Sequence, residues 1–110
     1  MKKITKKQSK EFNDKVKDVI LSAGFENKPD GFYEYTKDTN FGKVKISLHD
    51  QTGSEIYSIF TRFDDIEKAL RIFNCNRYTG KYNFHSADAQ EILGMFEFYL
   101  HELATFGKES

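Results

Sequence analysis

The clearest periodic signal lies near the start of the chain. Phe12, Val16, Val19, Ile20 and Ala23 recur at helical spacing, with Lys10, Asn13, Asp14, Lys17 and Asp18 on the opposite side. The pattern predicts an amphipathic helix from Ser9 to a glycine stop at Gly24. Pro29-Asp30-Gly31 then marks a turn, after which the apolar period changes from helical to alternating. Three strand segments follow, at 32–37, 43–49 and 55–63. Short connections containing Gly42 and Gly53 join them, which predicts an antiparallel meander. In the middle segment Val44, Ile46 and Leu48 alternate with Lys43, Lys45, Ser47 and His49, so one face of the sheet should be buried and the other wet. The third segment is apolar on both sides, with Ile56 and Phe60 against Tyr57, Ile59 and Phe63, as an interior strand would be.

Helical spacing returns with Ile66, Ala69, Leu70 and Phe73. Asp64, followed three residues later by Glu67, has the spacing of a capping box with Asp in place of Ser or Thr. This helix should end near Asn74, and residues 76–80 read as a polar turn. The turn delivers a fourth strand, 81–85, with Lys81, Asn83 and His85 on one face and Tyr82 and Phe84 on the other. Two strands joined through a helix in one sheet should run parallel with a right-handed crossover. Ser86 is placed to cap a last helix whose inner stripe is Ala89, Ile92, Leu93, Phe96, Leu100 and Leu103. Met95, Tyr99 and Phe106 flank that stripe, and Phe98 falls outside it. The predicted fold is α+β, a two-layer sandwich in the order α-β-β-β-α-β-α, with a three-stranded antiparallel meander and a fourth strand after a crossover helix. A single domain is expected over 1–110, with about 1–8 and 107–110 flexible.

Composition changes this picture in three ways. Eleven Phe and six Tyr, with no Trp, supply core area to a chain only 38% apolar. Net charge is zero, but its distribution is uneven. Lys and Arg outnumber Asp and Glu eight to four over 1–28, match them over 29–85, and fall to one against five over 86–110. The neutral total ranks nucleic-acid binding behind protein binding, because phosphate affinity comes from clustered cations. The lone cysteine, Cys75, forbids an intrachain disulfide and suits a reducing, cytoplasmic setting. The basic start leads into charged residues, so export is not expected. No run approaches the roughly 20 apolar residues of a membrane span, so no membrane partner is expected either.

Candidate chemistry is sparse. His49, His85 and His101 lie far apart without ligand-spaced companions, and no metal or cofactor is expected. Thr79-Gly80-Lys81 lacks the glycine-rich lead of a phosphate loop, and Cys75 reads as a packed thiol. What remains is recognition. Arg62, Arg77, Tyr78, Lys81, Asn83 and His85, with Met95, Phe98 and Tyr99 of the last helix, are residue types suited to a partner contact. The alternative is a single-stranded nucleic-acid platform on the wet sheet face, with Tyr33 or Tyr35 beside Lys43, Lys45 and His49. A third reading, a small enzyme, requires His85, Asn83, Arg62 and Asp64 to converge in a pocket.

Arg62-Phe63-Asp64-Asp65, then Asn76, then Tyr78-Thr79-Gly80-Lys81-Tyr82-Asn83-Phe84-His85 resembles a signature of small accessory proteins encoded by phages, plasmids and integrative elements. Arg77, Thr79 and Tyr82 stand where that pattern has proline, serine and tryptophan. The resemblance covers about a quarter of the chain and implies a setting, not an activity. In that setting inhibitors of host defence, anti-CRISPR proteins among them, are common small domains. The leading expectation is therefore a non-enzymatic protein-binding accessory protein whose partner is a host protein, such as a defence nuclease complex. The acidic last helix would suit a basic surface on such a partner. Its surplus apolar face equally allows a homodimer.

Overall fold

The computed structural model describes residues 2–28 and 33–106. The Pro29-Asp30-Gly31 turn, the start of the first predicted strand at Phe32, and residues 107–110 lie outside them. Helix α1 (Lys6–Ser22) opens before Ser9 because Thr5 and Gln8 close a capping box. The Gln8 N–H donates to Thr5 Oγ1 at 3.1 Å, and the Thr5 N–H donates to Gln8 Oε1 at 2.9 Å. The helix stops as predicted. Gly24 takes φ +87°, its N–H donates to the Leu21 carbonyl at 3.1 Å, and the Phe25 N–H reaches back to the Ile20 carbonyl at 3.3 Å.

Five strands follow: β1 (Glu26–Asn27), β2 (Glu34–Thr39), β3 (Gly42–Ser47), β4 (Tyr57–Phe63) and, after helix α2 (Ile66–Ala69), β5 (Phe84–Ser86). They form one antiparallel sheet in the order β1-β2-β3-β4-β5, and helix α3 (Ala89–Phe106) closes the chain. The fold is thus α+β, with the predicted elements in the predicted order and the two-residue β1 added. Val44, Ile46, Ile59 and Phe63 from the sheet share one core with Phe12, Val16 and Ile20 of α1 and Ile92, Phe96 and Leu103 of α3.

The orientation of the last strand corrects the sequence reading. It runs antiparallel to β4, pairing Tyr57 with Ser86, Ser58 with His85 and Ile59 with Phe84. After the one regular turn of α2 the backbone goes on in tight turns to Phe73, whose N–H donates to the Ala69 carbonyl at 2.7 Å, and no crossover over the sheet forms. Instead the chain doubles back at Gly80, whose carbonyl accepts the Phe63 N–H at 2.9 Å, and Lys81 then bridges Arg62. Two caps also move. Asp65, not Asp64, caps α2, accepting the Lys68 N–H at 3.2 Å. At the start of α3, Asp88 accepts the Gln90 N–H at 2.9 Å, while Ser86 serves one step earlier, accepting the Asp88 N–H at 3.0 Å and donating to Glu91 at 3.1 Å.

Phe63 is the hub of an aromatic core, with ring centroids 5.0 Å from Phe73, 5.7 Å from Phe41 and 6.0 Å from Tyr99. Tyr99, expected at a partner surface, is 1% exposed and belongs to this core. Its spacing from Ile92, Phe96 and Leu103 puts it on the inward stripe of α3. Burial pushes its hydroxyl pKa up. The adjacent Thr61 hydroxyl spends its proton on the Tyr82 carbonyl, and the Tyr99 hydroxyl makes no hydrogen bond among the described residues. Tyr99→Phe removes that desolvated group and keeps the ring, so it is expected to raise stability by about 1 kcal/mol. Urea midpoints compared at equal slope measure the difference, and a destabilised variant would show that the hydroxyl is satisfied.

Candidate functional site on the open sheet face

Strand alternation sends every second side chain of this sheet away from the helices. Glu34 and Thr36 of β2, Lys45 and Ser47 of β3, Phe60 and Arg62 of β4, and Lys81, Asn83 and His85 leading into β5 all face outward. Register then fixes which of them meet. Lys45 lies opposite Arg62, Ser47 opposite both Glu34 and Phe60, and His85 opposite Ser58. No described element covers this surface. Phe60 is 38% exposed, and Arg62, Lys81 and Asn83 are exposed around it. Together with Glu34, Lys45 and Ser47 they line a groove of about 410 Å³.

The groove is rich in uncommitted donors. Neither the Arg62 guanidinium nor the Lys81 ammonium has a hydrogen bond or ion pair among the described residues. Asn83 Oδ1 accepts the Thr61 N–H at 3.4 Å, and its Nδ2 hydrogens have no partner among the described residues. Lys45 and Lys28 sit 3.7 and 3.8 Å from Glu34, and Lys43 sits 3.7 Å from Asp38. Long, solvated pairs of that kind are worth under about 1 kcal/mol and break readily for a better acceptor. Beside the groove, Lys28, Lys43, Lys45, Arg62 and Asp64 line a smaller pocket of about 130 Å³.

Phe60 is the ring in this field of charge. His49 stacks on it at 4.7 Å with 24° between planes, and His85 meets it edge-on at 6.1 Å. Ser58 Oγ and His85 Nδ1 share a hydrogen bond at 3.0 Å, which fixes that imidazole against the strand. Burial lowers the His49 pKa, Asp50 offsets part of the shift, and His85 adds to it. Burial thus favours the neutral form of the His49 ring.

Members of both sets of residues singled out in the sequence share one face. Arg62, Lys81, Asn83 and His85 from the partner-binding set stand beside Lys43, Lys45 and His49 from the nucleic-acid set. Others lie elsewhere. Arg77 and Tyr78 sit on the exposed 77–79 turn, and Met95 and Phe98 are exposed on α3. Tyr33 is exposed near His49 at the edge of α1, while Tyr35, at 2% exposure, is a core residue and cannot serve as a platform. Cys75 is buried, and burial pushes its thiol pKa up, away from the nucleophilic thiolate. The convergence an enzyme would need does not form. His85 lies across from Ser58, and Asp64 follows six residues along β4, roughly 20 Å away at strand rise.

Sequence reasoning missed Phe60 and Lys28. Phe60 has the same strand parity as Arg62 and the opposite parity to Ile59 and Phe63, so the signal was present in the alternation. No family model, curated protein or solved structure matches the chain.

Proposed function

We propose that the protein is a recognition module whose working surface is the open sheet face, and that its partner is a single-stranded nucleic acid. One observation carries this reading: donors of Arg62, Lys81 and Asn83 that have no partner among the described residues surround an exposed Phe60 ring on a sheet face that no described element covers. Single strands offer phosphate oxygens to such donors and unstacked bases to such a ring, and the combination is sequence-tolerant. The zero net charge of the chain is no obstacle, because three cations line the groove against the single carboxylate of Glu34. The mobile-element setting suggested by the signature, with action in the cytoplasm, accommodates such a module.

Fluorescence anisotropy of a labelled single-stranded 12-mer tests the proposal. Binding should be measurable at about 50 mM salt and weaken steeply as salt rises. Affinity that ignores salt, or no binding at all, would end this reading.

A different surface favours a second reading, the protein-binding inhibitor of a host defence complex. Phe98 is 64% exposed on α3 beside the exposed Met95, with Glu91 and Glu102 one turn to either side. An apolar spot rimmed by acids suits a basic partner surface. On this reading, replacing Met95 and Phe98 by alanine abolishes co-purification of a host protein and the effect on phage plating, and leaves oligonucleotide binding unchanged. Light scattering of the same variant reports whether the spot instead joins two copies of this chain.

A further inference from the structure

We infer that the open face is divided into a base subsite and a phosphate subsite that together seat one nucleotide unit of a single strand. The inference rests on the nucleic-acid reading above and assigns its parts. The groove and the smaller pocket adjoin, since Lys45 and Arg62 line both. Their chemistry differs sharply. The groove holds the Phe60 ring and the free Asn83 amide donors, whereas the smaller pocket presents four cations, Lys28, Lys43, Lys45 and Arg62, with Asp64 as its one acid.

A phosphate in the smaller pocket would meet the Arg62 guanidinium, which has a planar fork of donors and nothing else to bind among the described residues. Phe60 stands two residues back on the same strand face, about 6.6 Å away at strand rise, within the span between a phosphate and its own base. A base laid on Phe60 would present its edge to Asn83 Nδ2, whose donor character selects a carbonyl oxygen or ring nitrogen. His49 stacks on one face of Phe60 and His85 stands against the ring at 70°, so a base would take the part of the ring that these two leave exposed. Asp64 opposes the phosphate. Its carboxylate makes no hydrogen bond or ion pair among the described residues, and the α2 cap belongs to Asp65.

Salt dependence separates the two subsites. With a dT12 oligonucleotide, Arg62→Ala should weaken binding and flatten the log–log salt slope by about 0.7, the loss of one phosphate contact on a single strand. Phe60→Ala should weaken binding by about tenfold and leave the slope alone, since stacking releases no counterions. Asp64→Asn should tighten binding severalfold. Thermal melts of each variant confirm the fold; all three side chains are exposed, so native-like melting is expected. A duplex of equal length should bind more weakly, because its bases are stacked away from Phe60. If Phe60→Ala binds like the wild type, flattens the slope as Arg62→Ala does, or if the duplex competes equally, the two-subsite assignment fails while single-strand binding stands. Binding that Asp64→Asn weakens or leaves unchanged removes the phosphate subsite alone. A wild-type protein that binds no oligonucleotide overturns both this inference and the function it deepens.

Discussion

Gly80→Ala is expected to lower the unfolding free energy by about 3 kcal/mol or more. Gly80 has φ +74°, a backbone region in which a side chain costs about 1–2 kcal/mol by itself. A Cβ there would also collide with the Phe63 carbonyl and press on Ile66 Cγ1 at 3.1 Å. Neither strand can yield easily, since the Phe63 N–H is bonded to the Gly80 carbonyl at 2.9 Å and the Phe63 ring is locked in the aromatic core. Gly53 supplies the control. It has a similar φ of +84° with nothing within 4 Å of the Cβ position, so Gly53→Ala should cost only about 1 kcal/mol. Urea unfolding of the pair measures the difference, and equal losses would mean that the approach to Phe63 is slack. Because Gly80 aims Lys81 at Arg62, the same variant should also lose oligonucleotide affinity in proportion to its unfolded fraction.

A loss of about 2–6 kcal/mol is expected from Gln51→Leu, from two buried backbone groups left unpaired at about 1–3 kcal/mol each. Gln51 is 1% exposed, and its side-chain amide acts as a strand of one residue. Nε2 donates to the Ser58 carbonyl at 2.8 Å and Oε1 accepts the Ser58 N–H at 3.1 Å. The β3–β4 ladder ends at Ser47 and Phe60, so β4 has no neighbouring backbone at Ser58 on that side. The Gln51 N–H in turn donates to Ser9 Oγ at 2.9 Å, tying α1 to the same point. Leucine keeps the volume and discards the hydrogen bonds, so a near-neutral calorimetric result would show that Ser58 finds other partners.

How much of this was legible follows from how local each signal is. The α1 stripe and the alternation of Val44, Ile46 and Leu48 are properties of short windows, and both elements stand where they were expected. β1 was not legible, because two exposed residues carry no alternation and exist as a strand only through Glu26–Thr36 and Asn27–Tyr35 pairing. The spacing of Ile66, Ala69, Leu70 and Phe73 fits a helix of two turns; the regular helix ends at Ala69, and tight turns carry the backbone on to Phe73, whose N–H donates to the Ala69 carbonyl at 2.7 Å, while Leu70 is exposed. The direction of β5 is set by the later reversal at Gly80. Adjacent acids at 64 and 65 look alike in sequence, and only the reach to the Lys68 N–H separates them. For the candidate site, strand parity grouped Lys81, Asn83 and His85 correctly, but bringing them beside Lys43, Lys45 and Arg62 took the register of three strands. Phe60 fell on the face opposite Ile59 and Phe63, and β4 is the interior strand its two apolar sides suggested, but nothing local says that the face bearing Phe60 is left uncovered.

The order of strands across the sheet is the order in which they leave the ribosome. Each ladder therefore closes between neighbours in the chain, at small loop-closure cost, so the meander can zip from any hairpin. The helix layer is different, since α1 packs against α3 from the far end of the sequence. Docking of the two helices is then expected late in folding, and the open face, which lies wholly on the sheet, is expected to take shape before the core behind it is sealed. In such an interval Val44, Ile46 and Ile59, buried in the finished fold, would be open to solvent, so the half-closed sheet is the species expected to aggregate as the chain is synthesised.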